Sequence, residues 1–275
     1  MRPVLKYLLL SFSILPLFAA AQKLPKIQTA AVRAPQNIKI DGKTTEWNDK
    51  FKAYNFGQHI YYTLSNDDTN LYLTVRMDDA LGSRKILKGG LTFSIIPSTK
   101  TERLSIAFPV ITKSIMDTEQ PGGTPILRYN SLQKSNLNPA AKKTKTDSLI
   151  ASANAGLLKA YKQMYITGIP EITDSLVSIY NTHNIQVTAR YDKSMNYTYE
   201  LAIPLRYLEA AITNVRSLKY NIKLHTIPPM EMKIIEARNR NRPPVVLGRF
   251  VSPGSLDDQF IYGDTDFSGE YTLAK

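Results

Sequence analysis

Leu71-Tyr72-Leu73-Thr74-Val75-Arg76-Met77 is the stretch that decides the fold class. Its period of two places Leu71, Leu73, Val75 and Met77 on one face of a strand. The same alternation returns in Leu91 to Ile95, Leu104 to Phe108, Ile185 to Tyr191, Tyr197 to Ile203 and Tyr220 to Leu224. Polar turn clusters at Ser65 to Asn70, Asn181 to Asn184 and Asp192 to Asn196 separate these runs. Strands with one apolar and one wet face belong to antiparallel sheets, and repeated short ones predict an all-β sandwich. Strand–helix alternation of the parallel α/β kind is missing from the pattern.

The middle of the chain breaks the rhythm. From about Thr112 to Asn154 it is rich in Lys, Thr, Ser, Asn, Pro and Gly. Within it, Leu149, Ala153, Leu157 and Tyr161 fall on one helical face, with Asp147 or Ser148 as the expected N-cap. The expectation is a loop-plus-helix insertion over about 112–160 within one sandwich; a linker between two domains is the alternative.

Arg2 and Lys6, an apolar run from Leu8 to Leu17, and Ala19-Ala20-Ala21 read as a cleavable export signal over residues 1–21, with Gln22 as the new N-terminus. An uncleaved anchor is the alternative, and no later stretch has the length of a membrane span. A linker over 22–36 and a sandwich over 37–275 complete the expected organisation, with the protein acting in the periplasm, on the outer surface or outside the cell. No cysteine is present, which excludes a disulfide scaffold, an acylated lipoprotein anchor and thiolate chemistry. Lys and Arg outnumber Asp and Glu by 35 to 23. The excess is spread along the chain, and its local clusters, Lys142-Lys143-Lys145 and Arg238-Arg240-Arg242, lack interleaved aromatics. That distribution speaks against a nucleic-acid partner and for a basic surface compatible with acidic polysaccharide.

Three pieces then occur in order: Ile38-Lys39-Ile40-Asp41-Gly42 with Glu46-Trp47, the hairpin Asp67 to Asp79 around Asn70-Leu71-Tyr72-Leu73, and Tyr197 to Leu205, reading YTYELAIPL. The series resembles the family-nine carbohydrate-binding modules and their DOMON-like relatives. The resemblance implies an immunoglobulin-like or jelly-roll sandwich, exported and non-catalytic, that recognises glycan or envelope polysaccharide. Asp41 and Gly42 have turn chemistry. Trp47, the only tryptophan, is expected to plug the end of the sandwich, and Glu200 to anchor a turn or an edge ion pair. Sugar-binding members are understood to clamp their ligand between two tryptophans, and this chain cannot do so. Tyrosines could substitute, because a flat ring with a polar tip stacks on a sugar face. Tyr54, Tyr61, Tyr62 and Tyr161 are the candidates near loops or wet faces.

Other chemistry finds less footing. His59, His183 and His225 are too scattered for a zinc site. Asp67-Asp68 and Asp78-Asp79 flank one strand and are weak calcium candidates, read chiefly as polar turns. The DOMON likeness raises a haem-binding alternative with Met77 against His225 or Lys223, although Met77 reads first as core. No GxSxG, SxxK or phosphate-loop motif is present, and no carboxylate pair marks a glycosidase. The expectation is a non-enzyme without cofactor; the second reading is an envelope sandwich that has lost sugar binding and contacts other envelope proteins.

Overall fold

A computed structural model describes residues 23–97, 102–111, 125–227, 233–235, 245–247 and 256–275. The expected export signal and the Arg238-Arg240-Arg242 cluster lie outside the described residues. In chain order the strands are β1 (Ala53–Asn55), β2 (Ile60–Asn66), β3 (Asn70–Met77), β4 (Leu91–Ile96), β5 (Leu104–Phe108), β6 (Gln163–Thr167), β7 (Leu176–Ser178) and β8 (Gln186–Tyr191). β9 (Tyr197–Pro204), β10 (Ser217–Leu224), β11 (Lys233–Ile235), β12 (Val245–Leu247) and β13 (Thr265–Thr272) follow. The first sheet runs β1-β2-β3-β9-β8 and the second β13-β10-β4-β5-β6-β7, with β11 and β12 as a separate pair. Every pairing within both sheets is antiparallel. This is the antiparallel β-sandwich that the alternation predicts.

The inward faces meet as expected. Leu71, Leu73, Val75 and Met77 from β3 are fully buried, as are Phe93, Ile106 and Ile222 from the second sheet. Tyrosines take a large part of this interior: Tyr62, Tyr191, Tyr197, Tyr199 and Tyr220 are among the largest fully buried side chains. The Tyr62 and Tyr220 hydroxyls lie 3.0 Å apart and bridge the two sheets. Such a pair keeps two phenols satisfied while their rings fill the core.

Among the described residues, the insertion between β5 and β6 holds two helices, α2 (Pro125–Gln133) and α3 (Pro139–Ala160), after α1 (Ala80–Gly89) earlier in the chain. The helix expected from Asp147 or Ser148 starts earlier. Asn138 is its N-cap, accepting from the Ala141 amide at 2.8 Å, with Pro139 at the first helical position. Proline's fixed φ and missing N–H suit that position, and the Ala140-Ala141-Lys142-Lys143 run favours helix. Asp147 instead pairs with Lys143 one turn back. The predicted inner face holds: Leu157 and Tyr161 are buried, and Leu149 and Ala153 pack against the core. Asn154 completes the exposed edge of the first sheet, donating to the Tyr191 carbonyl (3.0 Å) and accepting from its amide (2.7 Å). An edge strand covered in this way cannot pair with another chain at that residue.

The expected linker is part of the sandwich. Gln28 bonds both backbone groups of Leu64 through its side chain, at 2.7 and 2.8 Å, and its amide donates to the Tyr62 hydroxyl. Ala34 donates to the Asn66 carbonyl, and the Tyr271 hydroxyl donates to that of Val32. Among the described residues no helix is long and apolar enough to cross a membrane.

Candidate functional site

The outward face of the first sheet carries one transverse row fixed by strand register: Tyr54, Tyr61, Arg76, Thr198 and Arg190. One half of this row is covered. The Thr198 hydroxyl donates to the Gly42 carbonyl at 2.5 Å. In the neighbouring row, Glu200 Oε2 accepts from the amides of Asp41 (3.1 Å) and Gly42 (2.7 Å). Gly42 has φ +77, and a Cβ there would stand 2.6 Å from the Cβ of Arg190. Only glycine allows both the turn and that approach. Asp41 accepts from the Lys43 amide and ammonium, closing the turn. Glu200 thus anchors a turn from the middle of the sheet, not from an edge. Burial pushes its carboxyl up to about 8, with Glu46 and Asp41 adding to the rise, against the two amide hydrogen bonds. Its other oxygen, Oε1, has no hydrogen-bond partner.

Trp47 follows in a short 3-10 turn and is buried, yet it stands apart from the hydrophobic cluster that fills the interior. Its buried indole nitrogen has no hydrogen-bond partner.

The other half of the row is bare. Tyr54 and Tyr61 are half-buried, and their rings lie 4.4 Å apart at 33°. The Arg76 guanidinium sits 5.0 Å from the Tyr61 ring centre and 4.9 Å from that of Phe51. A cation held against two ring faces restrains both. Phe56, 73% exposed, projects from the β1–β2 turn with its ring 6.4 Å from Tyr54 and 5.9 Å from His59. His59, with φ +55, turns the chain, and its Nδ1 lies 3.4 Å from the Asp79 carboxylate. Exposed Asp78 stands beside the platform: after burial and Tyr61, the Asp78 and Asp79 charges raise the Tyr54 hydroxyl's pKa. The result is a short aromatic shelf with phenol and carboxylate groups at its rim. It can stack on a flat apolar face and hydrogen-bond around it.

Two of the four candidate tyrosines meet here, and the other two do not. Tyr62 points the opposite way from Tyr61, is fully buried and bonds Tyr220, so it presents no ring to a ligand. Tyr161 closes α3 against the core, 8% exposed, with its hydroxyl donating to the Leu87 carbonyl. The calcium candidates act as turn and cap acceptors. Asp67 Oδ1 accepts from the Thr69 and Asn70 amides and Oδ2 from the Tyr72 hydroxyl; burial raises its pKa, but these bonds hold it below the usual carboxylate value. Asp68 pairs with Arg33 at 2.8 Å, and Asp79 caps α1 by accepting from Gly82. Among the described residues no three His, Asp or Glu side chains converge as a metal site. Met77 is buried in the core, the His225 Nε2 lies 2.6 Å from the Thr92 hydroxyl, and Lys223 pairs with Asp264 at 2.6 Å.

Sequence reasoning missed Phe51, Phe56 and Arg76. Arg76 was legible in principle, because the tight Asn66 to Asn70 turn sets it opposite Tyr61. No family model, no curated protein and no solved structure matches the chain.

Proposed function

We propose that this protein is an exported, non-catalytic glycan-binding sandwich that holds envelope or extracellular polysaccharide on the Tyr54–Tyr61 shelf. The supporting observation is the cross-strand tyrosine pair on the uncovered part of the first sheet, backed by Arg76 and extended by Phe56. In the family that the motifs resemble, two tryptophans clamp the sugar; here the one tryptophan is buried. Two phenol rings supply the stacking surface in its place, and their hydroxyls and Asp78 meet the sugar's rim. Recognition of this kind needs no cofactor, and an open shelf suits an internal stretch of a long polymer.

The test is retention on insoluble polysaccharides and a glycan array, at low salt and at about 0.5 M NaCl, where charge attraction is screened. The expected result is binding that survives salt and weakens by about tenfold in Tyr61→Ala, the size of a lost stacking contact. Absence of binding to every neutral and acidic glycan would overturn the proposal. So would retention unchanged in the Tyr54→Ala/Tyr61→Ala double variant.

A further inference from the structure

At the opposite end of the sandwich, where β9 finishes, an open cleft of about 800 Å³ lies between β4, β5, the β6–β7 connection and the two short 3-10 turns of residues 205–211. Its floor is aliphatic: Ile95, Leu104, Ile166, Ile169 and Ala211 line it and are otherwise buried in the core. Its rim carries three exposed carboxylates, Glu102, Glu171 and Glu209. None of the three is ion-paired among the described residues. Among the described residues lining it, the one cation, Arg206, is already engaged, donating to the His183 carbonyl (3.1 Å) and the Tyr207 hydroxyl (2.9 Å).

The cleft is held open by its own backbone. Gly168 has φ +76, and a Cβ there would stand 2.4 Å from the Arg103 carbonyl, so the loop presses directly on the start of β5. Ile166 donates to the Ser175 carbonyl and Ile172 to that of Ile169, which fixes the loop's curvature. A ligand would find this shape formed and would not have to order it.

We infer that the cleft docks a short peptide segment of a protein partner in which aliphatic side chains alternate with lysine or arginine. Charge complementarity carries the choice. A chain of formal charge +12 presents here a local acidic rim over an apolar floor. The carboxylates do not converge on a common point as a metal site would require. Carboxylates that do not share a point can each meet a separate cation, while the floor takes the aliphatic side chains between them. A volume of this size has room for several residues. The site stands apart from the tyrosine shelf, and neither reading depends on the other.

The test is fluorescence anisotropy of the labelled peptide Lys-Leu-Lys-Ile-Lys titrated with the protein, at low salt and at about 0.5 M NaCl. The expected result is saturable binding, weakened about tenfold or more by Glu102→Gln/Glu171→Gln/Glu209→Gln and by salt, as rim charges that steer and hold a partner require. These three sites are exposed, so the triple variant tests charge with the fold intact. Ala210→Trp, which narrows the mouth, abolishes binding, and Tyr61→Ala leaves it unchanged. The inference is overturned by equal affinity for Glu-Leu-Glu-Ile-Glu, or by indifference to the triple variant. It is also overturned by spermidine displacing the peptide as well as unlabelled peptide does, or by no binding at about millimolar protein, the weak limit for a specific contact.

Discussion

Two unlike surfaces share one row of the first sheet. From Arg190 to Thr198 the row lies under the Asp41-Gly42 turn, joined to it by hydrogen bonds and by a contact that only glycine permits. From Arg76 to Tyr54 the same row is open, and its rings touch each other instead of a cover. Of the residues with the strongest motif character, Gly42, Trp47 and Glu200 are buried, out of reach of solvent and ligand. The residues suited to a ligand stand where the motif segment stops.

The contrast can be broken first on the covered side. Trp47→Ala removes a large buried ring and is expected to cost about 3–4 kcal/mol in urea denaturation. A cost below about 1 kcal/mol would show that packing of this ring adds little. Gly42→Ala meets both the positive φ and the Arg190 contact, and an expected loss of about 2–3 kcal/mol follows from strain plus overpacking.

Glu200 makes the covered side sensitive to pH. Its folded pKa of about 8 stands above the ordinary 4.5, so the fold retains a proton that the unfolded chain releases. Stability is then full below about pH 4.5 and falls as pH rises through about 8. Glu200→Gln keeps a carbonyl oxygen for the Asp41 and Gly42 amides and carries no charge. It is expected to remove that slope and to stabilise the protein at pH 8 by about 2 kcal/mol. Identical pH profiles for the two proteins would refute the buried-carboxyl account.

On the open side the effects on stability shrink while those on binding grow. Tyr61→Ala is expected to cost about 1 kcal/mol of stability, since the ring is only half-buried, yet to weaken glycan retention about tenfold. The smallest stability change belongs to Phe56→Ser, within about 0.5 kcal/mol because the ring is largely in water. Its effect on retention, read in the same pull-down, measures how far the shelf extends beyond the tyrosine pair.

Part of this was written plainly in the residues. The period of two in Leu71 to Met77 put the right side chains inside, and the polar clusters marked the turns. The inner face of α3 was legible from Leu149, Ala153, Leu157 and Tyr161. Its start was legible as well: the expected cap at Asp147 or Ser148 passes over Asn138-Pro139, where an asparagine cap and a first-turn proline precede the Ala140 to Lys143 run. Tyr61 and Tyr62 show a sharper limit. Alternation says that they face opposite ways, and the sheet that packs below decides which of them is the wet one.

The strand periods, the antiparallel sandwich, the turn chemistry of Asp41-Gly42 and the absence of thiol chemistry could be read from the residues in order, since each depends on local sterics or on composition. Packing of distant segments was needed to bring Glu200 across to that turn, to join residues 25–34 to the sandwich, and to set Tyr54, Tyr61 and Arg76 in one row. The same holds for the acidic cleft, whose carboxylates at 102, 171 and 209 come from three separate connections. Such groupings are set by register and by which faces meet, and both depend on contacts between residues far apart in the chain.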